Sequence, residues 1–524
     1  MDITLISTDI DTWSFGLRSI SATLKAAEYT TRLIFAGTNE QRFSNHQLDG
    51  IATLARQTDI VGISCLARGA DKAKQLINYL HMQKKLVVWG GVHASLNPEK
   101  CADWADIVCL GEGEGMMLEL LEYLYQGRDW KKIDNIAYKE DGIIYLNSLR
   151  PPIYSLDELP LPDFDFNNEY HLTSKGFVKV FTLPGLEDTG QIMYISSRGC
   201  VFNCAYCCNA KLKDLYSGKN PYIRRMSVSK LIDHSQQLQK IFPHGRYFYF
   251  IDEDFATRPL AELIQFSEEF PLKVGLPFQC MTHPSHVTYK KMDLLVKAGL
   301  FRMHMGIESG SERTRREVYN RHVPNLVINN AIEIIHSYPN IVPKYFFIIA
   351  NPYEDKNDLI ETAHLITSLP SGCYIQTYNL VFFPGSDLYD RAIEDGLIQG
   401  DYDSGYELDF LGGLNYKKHP WKQKNLYLNG LLFLMEGLST RYLIGIVPRF
   451  LLNLVLRPRY VDLNEKNKFV IKWVISIKYA INSLWHLAAK VLRKILGDPT
   501  VIYNLGYHLR LKFHRLSQNN ILTK

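Results

Sequence analysis

Short apolar runs alternate with amphipathic stretches through the first 130 residues. Ile3–Ser7, Thr31–Phe35, Ile60–Ser64, Leu86–Trp89 and Ile107–Leu110 are long enough for strands and too short for helices. Between them, Leu17–Ala27 and Ala70–Met82 space their apolar residues as helices do. This alternation predicts a Rossmann-like domain over 1–134, with an open parallel sheet whose ligands bind at the carboxyl ends of the strands. Residues 135–190 mix short strands with Pro151-Pro152 and Leu159-Pro160-Leu161-Pro162-Asp163, which reads as a connector. The rhythm resumes over 191–400, with strands predicted at Met193–Ser197, Tyr247–Ile251, Leu272–Phe278, Arg302–Ile307, Lys344–Ile349 and Gln376–Phe383, each followed by a helix. Over 401–524 it stops, and Leu426–Met435, Tyr442–Leu456 and Phe469–Leu496 read as apolar helices dotted with Lys and Arg.

One loop carries unusual chemistry. Ser197-Arg198-Gly199-Cys200-Val201-Phe202-Asn203-Cys204-Ala205-Tyr206-Cys207 sets three cysteines at Cys-x3-Cys-x2-Cys spacing. Three thiolates can hold three irons of a [4Fe–4S] cluster and leave the fourth iron open to a ligand. Zinc ribbons pair two Cys-x2-Cys knuckles, and no second knuckle is present. Adjacent side chains along a chain point in different directions, so Cys208 reads as a spare or packing residue rather than a ligand. Cys65, Cys101, Cys109, Cys280 and Cys373 are scattered singly. The loop resembles that of the radical S-adenosylmethionine (SAM) superfamily, in which the free iron chelates the amino and carboxylate groups of SAM.

That resemblance implies a partial (β/α)6 TIM barrel for 191–400, with chemistry on its strand-end loops. It places Tyr206, Asp252, Asp254, Glu308, Ser309, Pro384 and Gly385 at SAM. Asp252 and Asp254 would serve the amino group, Glu308 and Ser309 the carboxylate and ribose, and Pro384-Gly385 the adenine or substrate. Each carboxylate also suits a helix N-cap. The fifth strand departs from the family's Gly-x-Pro-Gly-Glu, with Asn351 and Tyr353 in place of glycines.

Three N-terminal loops follow predicted strands: Asp11-Thr12-Trp13-Ser14-Phe15-Gly16, Ser64-Cys65-Leu66, and Gly90-Gly91 leading to His93. In this order they resemble the Asp-x-His-x-x-Gly, Ser-x-Leu and Gly-Gly pattern of cobalamin-binding domains, and imply Asp11, Trp13, Gly16, Ser64, Leu66, Gly90, Gly91 and His93 as cobalamin contacts. Trp13 stands where that pattern has the cobalt-ligating histidine. Indole has no lone pair for cobalt, so a cobalamin here would not be ligated by histidine. Gly111-Glu112-Gly113-Glu114 looks like the last loop of such domains and adds Gly111, Glu112 and Gly113. A dinucleotide loop would not set two glutamates against a phosphate. Methylthiotransferases also precede a radical SAM domain with a Rossmann-like one, and Cys65, Cys101 and Cys109 could serve their second cluster. Cys109 lies too close to Cys101 for that family's spacing.

The 524 residues are 46% hydrophobic and 22% charged, ordinary for a globular chain. From Lys417 onward, 19 Lys and Arg against 4 Asp and Glu leave +15, so the preceding residues sum to −11 within a whole-chain charge of +4. Glu436, Arg441, Arg449, Lys472 and Lys478 interrupt the apolar runs, which therefore fall short of membrane spans. Such helices suit either the surface of an anionic membrane or a cap on the barrel mouth. Nucleic acid is not expected, because the basic residues sit among long aliphatic ones. Met1-Asp2-Ile3-Thr4-Leu5 lacks a signal-peptide pattern, and a cluster loop needs free thiols, so a reducing cytoplasm is expected.

Together the resemblances imply a methyltransferase that forms a 5′-deoxyadenosyl radical and moves a methyl group from methylcobalamin to an unactivated carbon. They also imply a reductant such as flavodoxin or ferredoxin and a small or lipid-like substrate. The alternatives are a cobalamin-dependent radical cyclase or oxidoreductase, a methylthiotransferase, and a non-catalytic sensor of cluster or cobalamin.

Overall fold

The computed structural model describes residues 2–219, 221–370, 372–400, 424–439, 455–467, 469–471, 473–474 and 476–478. The chain forms two compact units, Met1–Pro277 with Val381–Asp409, and Phe278–Leu380 with Phe410–Lys524.

In the first unit, β1 (Asp2–Ser7), β2 (Thr30–Phe35), β3 (Ile60–Ser64), β4 (Leu86–Gly90) and β5 (Ile107–Cys109) pair in parallel in the order β5-β4-β3-β1-β2. Successive strand side chains point to opposite faces. Ile6, Val61, Ile63, Val87 and Trp89 join one core with Leu76 and Leu80 of the helix Ala70–Met82. Ile3, Leu5, Ile60, Val88 and Ile107 join the other with Leu17 and Leu24 of the helix Phe15–Ala26 and Leu120 of Glu114–Tyr125. Burial on both faces is why these strands read as continuous apolar runs.

The expected connector is part of the sheet. Strands β6 (Ile136–Glu140) and β7 (Ile143–Leu146) extend it antiparallel beyond β5, while β8 (Glu169–Thr173) and β9 (Gly176–Lys179) extend it beyond β2. They cover edges that would otherwise expose unpaired backbone groups. Arg18 anchors the β2 side. Fully buried, it donates to both Glu169 carboxylate oxygens at 2.8 and 2.7 Å, to the Asp163 carbonyl at 2.6 Å and to the Thr12 carbonyl at 2.9 Å.

Six further strands each run parallel to their neighbours, two in the first unit and four in the second. The first unit holds β10 (Gln191–Tyr194) and β13 (Tyr247–Phe250), together with a two-residue antiparallel bridge between β11 (Ser197–Arg198) and β12 (Arg224–Arg225). The second unit holds β14 (Phe278–Thr282), β15 (Leu300–Glu308), β16 (Val342–Ile349) and β17 (Tyr374–Asn379), paired in that order.

Three predicted strands shift, the first of them from Met193–Ser197 back to Gln191–Tyr194. Leu272 and Lys273 finish the helix Leu260–Lys273, the chain turns at Gly275 with φ 72°, and β14 begins only at Phe278. The apolar run at 272–278 spans a helix end and a turn, which periodicity alone does not separate. β17 ends at Asn379, and Leu380, Val381 and Phe382 are buried beyond it.

In the second unit, the helix Leu426–Ser439 buries Tyr427, Leu428, Leu431, Leu432, Phe433 and Met435. Its Glu436 accepts the Thr377 backbone N–H of β17 at 3.1 Å and pairs with buried Lys478 at 2.8 Å. This part of the basic segment is therefore a cover for β17. Tyr442–Leu456 falls outside the described residues except at its last two positions, as does Phe469–Leu496 from 479 onward. Among the described residues, no helix is long and apolar enough to cross a membrane.

Candidate active site

The cysteine loop begins one turn beyond β10. Gly199 has φ 89°, and a Cβ there would meet the Tyr222 carbonyl at 2.7 Å, so the chain can make this turn only with glycine. Cys204 is buried, and Cys200 and Cys207 are half-buried. The Cys207 N–H donates to the Cys204 carbonyl at 3.0 Å, which folds the last two cysteines onto one turn.

The helix Cys208–Leu215 then starts, with Cys207 at its N-cap. Cys208 donates to the Cys207 sulfur and holds that thiol below its ordinary value despite burial, while Cys208 itself is raised. The Asn209 amide also faces the Cys207 sulfur, at 3.7 Å. Cys208 thus supports a thiolate on its neighbour. Burial, with Glu253, Cys207 and Cys204 nearby, pushes the Cys200 thiol up to about 12 against donation from the Phe202 N–H. A bound cation reverses that direction. Among the described residues, no three His, Cys, Asp or Glu side chains converge on one ion. An iron–sulfur cube asks for less, since its three thiolates bind three different irons. Three soft sulfur donors on one tight loop fit that group.

The acidic run after β13 splits by direction. Buried Asp252 accepts the Ser196 N–H at 3.2 Å, the Ser196 hydroxyl at 2.8 Å and the Ser197 hydroxyl, which ties the end of β13 to that of β10. Asp254 caps the turn Phe255–Thr257 through the Ala256 N–H at 3.0 Å. Glu253 points the other way; the residue is exposed, yet desolvation by the atoms crowded around it raises its carboxyl against the Asn209 side chain. It is the acid that acts on both Cys200 and Cys207. Alternation along the strand end was the signal that could have singled it out. Pro384-Gly385 lies against the segment after β4, where Gly385, at φ 85°, would set a Cβ 2.8 Å from that of Leu96.

A cavity of about 380 Å³ reaches from the strand ends of the nine-stranded sheet to this loop. Its wall includes Leu5, Gly62, Ser64, Val88, Gly90, Gly91 and Cys109 on one side, and Ser197, Arg198, Gly199, Asn209 and Glu253 on the other. It opens beside β1 and β3, where the strand order reverses and open α/β sheets bind ligands. Of the residues expected at cobalamin, Gly16, Ser64, Gly90, Gly91, Gly111, Glu112 and Gly113 line it. Gly91, at φ 91°, lies so close to β3 that a Cβ would sit 2.8 Å from the Ser64 hydroxyl, and nothing lies within 4 Å of a Cβ at Gly16. Small residues and bare backbone at these strand ends fit a bulky cofactor tail.

Asp11, Trp13, Leu66 and His93 are not in the wall. Asp11 accepts the Trp13 N–H at 3.0 Å, the exposed Leu66 donates its N–H to Asp9 at 2.9 Å, and His93 packs on Trp89. The Trp13 ring joins Phe15, Phe164 and Phe242, with ring centroids 5.9, 5.6 and 5.8 Å away.

In the second unit, Glu308 ends β15 in the left-handed region, at φ 71°. The Ser309 hydroxyl donates to buried Glu354 at 2.9 Å. Burial raises the Glu354 carboxyl to about 8, against donation from Ser309. In the Ala350-Asn351-Pro352-Tyr353-Glu354 turn, Ala350 is the residue with positive φ, 58°, and the Asn429 side chain accepts its N–H at 2.8 Å. Asn351 donates to the Tyr319 hydroxyl and accepts from the Tyr353 N–H.

A radical SAM superfamily model matches residues 194–366 and a B12-binding-domain model matches residues 1–121. The chain belongs to the radical SAM enzymes that carry a B12-binding domain. Its cofactors are accordingly a [4Fe–4S] cluster, SAM and cobalamin, and such enzymes act on small molecules and need a reductant. An uncharacterized methyltransferase of Pyrococcus horikoshii is 26% identical over 355 residues, 65% of this chain and 70% of that one. The anaerobic magnesium-protoporphyrin IX monomethyl ester cyclase of Rubrivivax gelatinosus is 26% identical over 352 residues, and the match spans 59% of its length. The cobalamin-dependent SAM radical enzyme OxsB, solved with aqua-cobalamin and SAM bound, shares the fold at a TM-score of 0.56 and 18% identity, over 75% of this chain and 55% of OxsB.

The cysteines available for a methylthiotransferase's second cluster are separated by the sheet. Cys65 and Cys101 lie in one core and Cys109 in the other.

Proposed function

We propose that the chain is a cobalamin-dependent radical SAM methyltransferase acting on an unactivated carbon of a small molecule. The observation that carries this reading is the cavity wall shared by the strand ends at Ser64, Gly90 and Gly91 and by the cysteine loop at Gly199 with Glu253. When bound, the cluster and SAM supply a carbon-centred radical, and cobalamin supplies the methyl group.

The chain's own residues bind and orient. Cys200, Cys204 and Cys207 hold three irons, with one left for SAM. Glu253 receives the SAM amino group, since Asp252 and Asp254 are committed to backbone and serine partners. In the second unit, Glu308 and Ser309 are the residues proposed for the SAM carboxylate and ribose. Leu5, Val88, Leu156 and Leu159 exclude water from the cavity.

Likeness to the Rubrivivax cyclase favours a second reading, radical oxidation or ring closure without methyl transfer. Anaerobic incubation with SAM, a reductant, methylcobalamin and candidate substrates separates the two. A product heavier by one methyl group supports the first, and 5′-deoxyadenosine with an unmethylated product supports the second. An absence of SAM cleavage with any substrate overturns both.

A cluster loop needs reduced thiols, which supports a reducing cytoplasm and a flavodoxin or ferredoxin as electron donor. The basic segment is proposed to rest on an anionic membrane. Supporting this are Leu463, Phe469 and Trp473 in the second unit, which are 60%, 77% and 61% exposed. Flotation with phosphatidylserine vesicles tests it, and equal recovery with neutral vesicles would remove the membrane from the account.

A further inference from the structure

Four charged side chains occupy the cavity wall where the two cofactor-carrying loops meet. Arg198, two residues before Cys200, donates to Glu112 at 3.0 Å and to Glu114 at 2.5 Å. Arg224, opposite Arg198 across the β11–β12 bridge, donates to both Glu112 oxygens at 2.9 and 3.0 Å and to the Ile153 carbonyl at 2.8 Å. On the far flank of the cysteine loop, the Tyr216 hydroxyl accepts the Glu112 N–H at 2.8 Å. Both ends of the cysteine segment therefore terminate on the Gly111–Glu114 loop.

We propose that Glu112, Glu114, Arg198 and Arg224 form a joint that fixes the separation of the cluster loop from the B12-binding strand ends, so that the two cofactors meet at one distance. Arg198 bridges the two glutamates through its two terminal nitrogens, and one terminal nitrogen of Arg224 is shared by both Glu112 oxygens and the Ile153 carbonyl, so several charge-assisted contacts rather than one hold the loop. Two arginines and two glutamates also sum to zero, so the joint adds no net charge beside the cluster loop. All four members line the cavity. They are positioning residues and act through the loops they hold. Small displacements matter here, because reaction between two bound groups falls steeply with misplacement.

The inference rests on the two-cofactor reading and is tested apart from turnover. The full-length protein is reconstituted anaerobically with iron, sulfide and cobalamin, partly reduced, and examined by electron paramagnetic resonance. The reduced cluster should speed relaxation of the cob(II)alamin signal, an effect that depends steeply on their separation. Glu114→Gln and Arg224→Lys are expected to keep wild-type iron and cobalamin content yet change that enhancement by about twofold or more, while Glu114→Asp retains most of it. Arg224→Lys carries the test if Glu114→Gln does not fold. Unchanged relaxation at full occupancy of both cofactors overturns the joint. A wild-type protein that takes up iron but no cobalamin overturns the reading beneath it, and the joint with it.

Discussion

Arg18→Ala should cost the first unit a large share of its stability. The side chain is 0% exposed and Glu169 opposite it is 2% exposed, so neither charge has water to fall back on. Five donor contacts disappear: two to Glu169, two to the Thr12 carbonyl and one to the Asp163 carbonyl. Contacts of the guanidinium with the rings of Phe35 and Phe164, at 4.6 and 4.5 Å, go with them. Removing one partner of a buried pair costs ~3–5 kcal/mol. His171, 2.6 Å from Glu169, remains as a partner for the stranded carboxylate and limits the loss. The expectation is roughly 4 kcal/mol, against a total stability of ~5–15 kcal/mol for a typical domain.

Urea unfolding followed by tryptophan fluorescence measures this, with Trp13 and Trp89 both in the first unit. The double variant Arg18→Met/Glu169→Gln leaves no buried charge and should cost less than the two single changes together. Burial raises the Glu169 carboxyl, but His171 and Arg18 outweigh it and hold it below its ordinary value. Its contribution is therefore complete above the unfolded pKa, about 4.3, and lost as pH falls through the folded value. The gap between wild type and Arg18→Ala should close in that acid range. A loss under about 1 kcal/mol at neutral pH would refute the reasoning, because it would place water or mobile backbone where the structure has a sealed ion pair.

Cys207→Ser should lose bound iron and reductive SAM cleavage, while Cys208→Ser keeps the iron; equal iron loss in both would make Cys208 a ligand. Trp13→His should not place a nitrogen on cobalt, because its ring packs on Phe15, Phe164 and Phe242; nitrogen splitting in the cob(II)alamin spectrum of that variant would contradict this. Gly111→Ala forces a side chain to φ 68° and into the Tyr216 hydroxyl, at an expected cost of ~1–3 kcal/mol in urea unfolding; wild-type stability would show that the loop is free to move.

Strand–helix alternation and the cysteine spacing were legible because each is a local property. β3 (Ile60–Ser64) and the helix Ala70–Met82 fall where apolar periodicity places them. The fate of charged residues was not legible, since it depends on what approaches from elsewhere in the chain. Arg198 and Glu112 are 86 positions apart, and no spacing rule joins them. Glu436 reads as an interruption in an apolar run, yet it is buried on Thr377 and Lys478. Asp252 reads as a cofactor contact and is spent on Ser196 and Ser197.

The sequence alone therefore determined the cofactors. Three thiolates on one loop, and small residues at successive strand ends in the order that the family resemblance implies, are each read from a short local stretch of the chain. The tertiary structure decided which polar groups face the cavity and which hold it in shape. Glu253 faces it while Asp252 and Asp254 do not, and Trp13 leaves it while Gly16 stays. Burial of a charge is affordable only beside a partner, and only the folded chain supplies that partner.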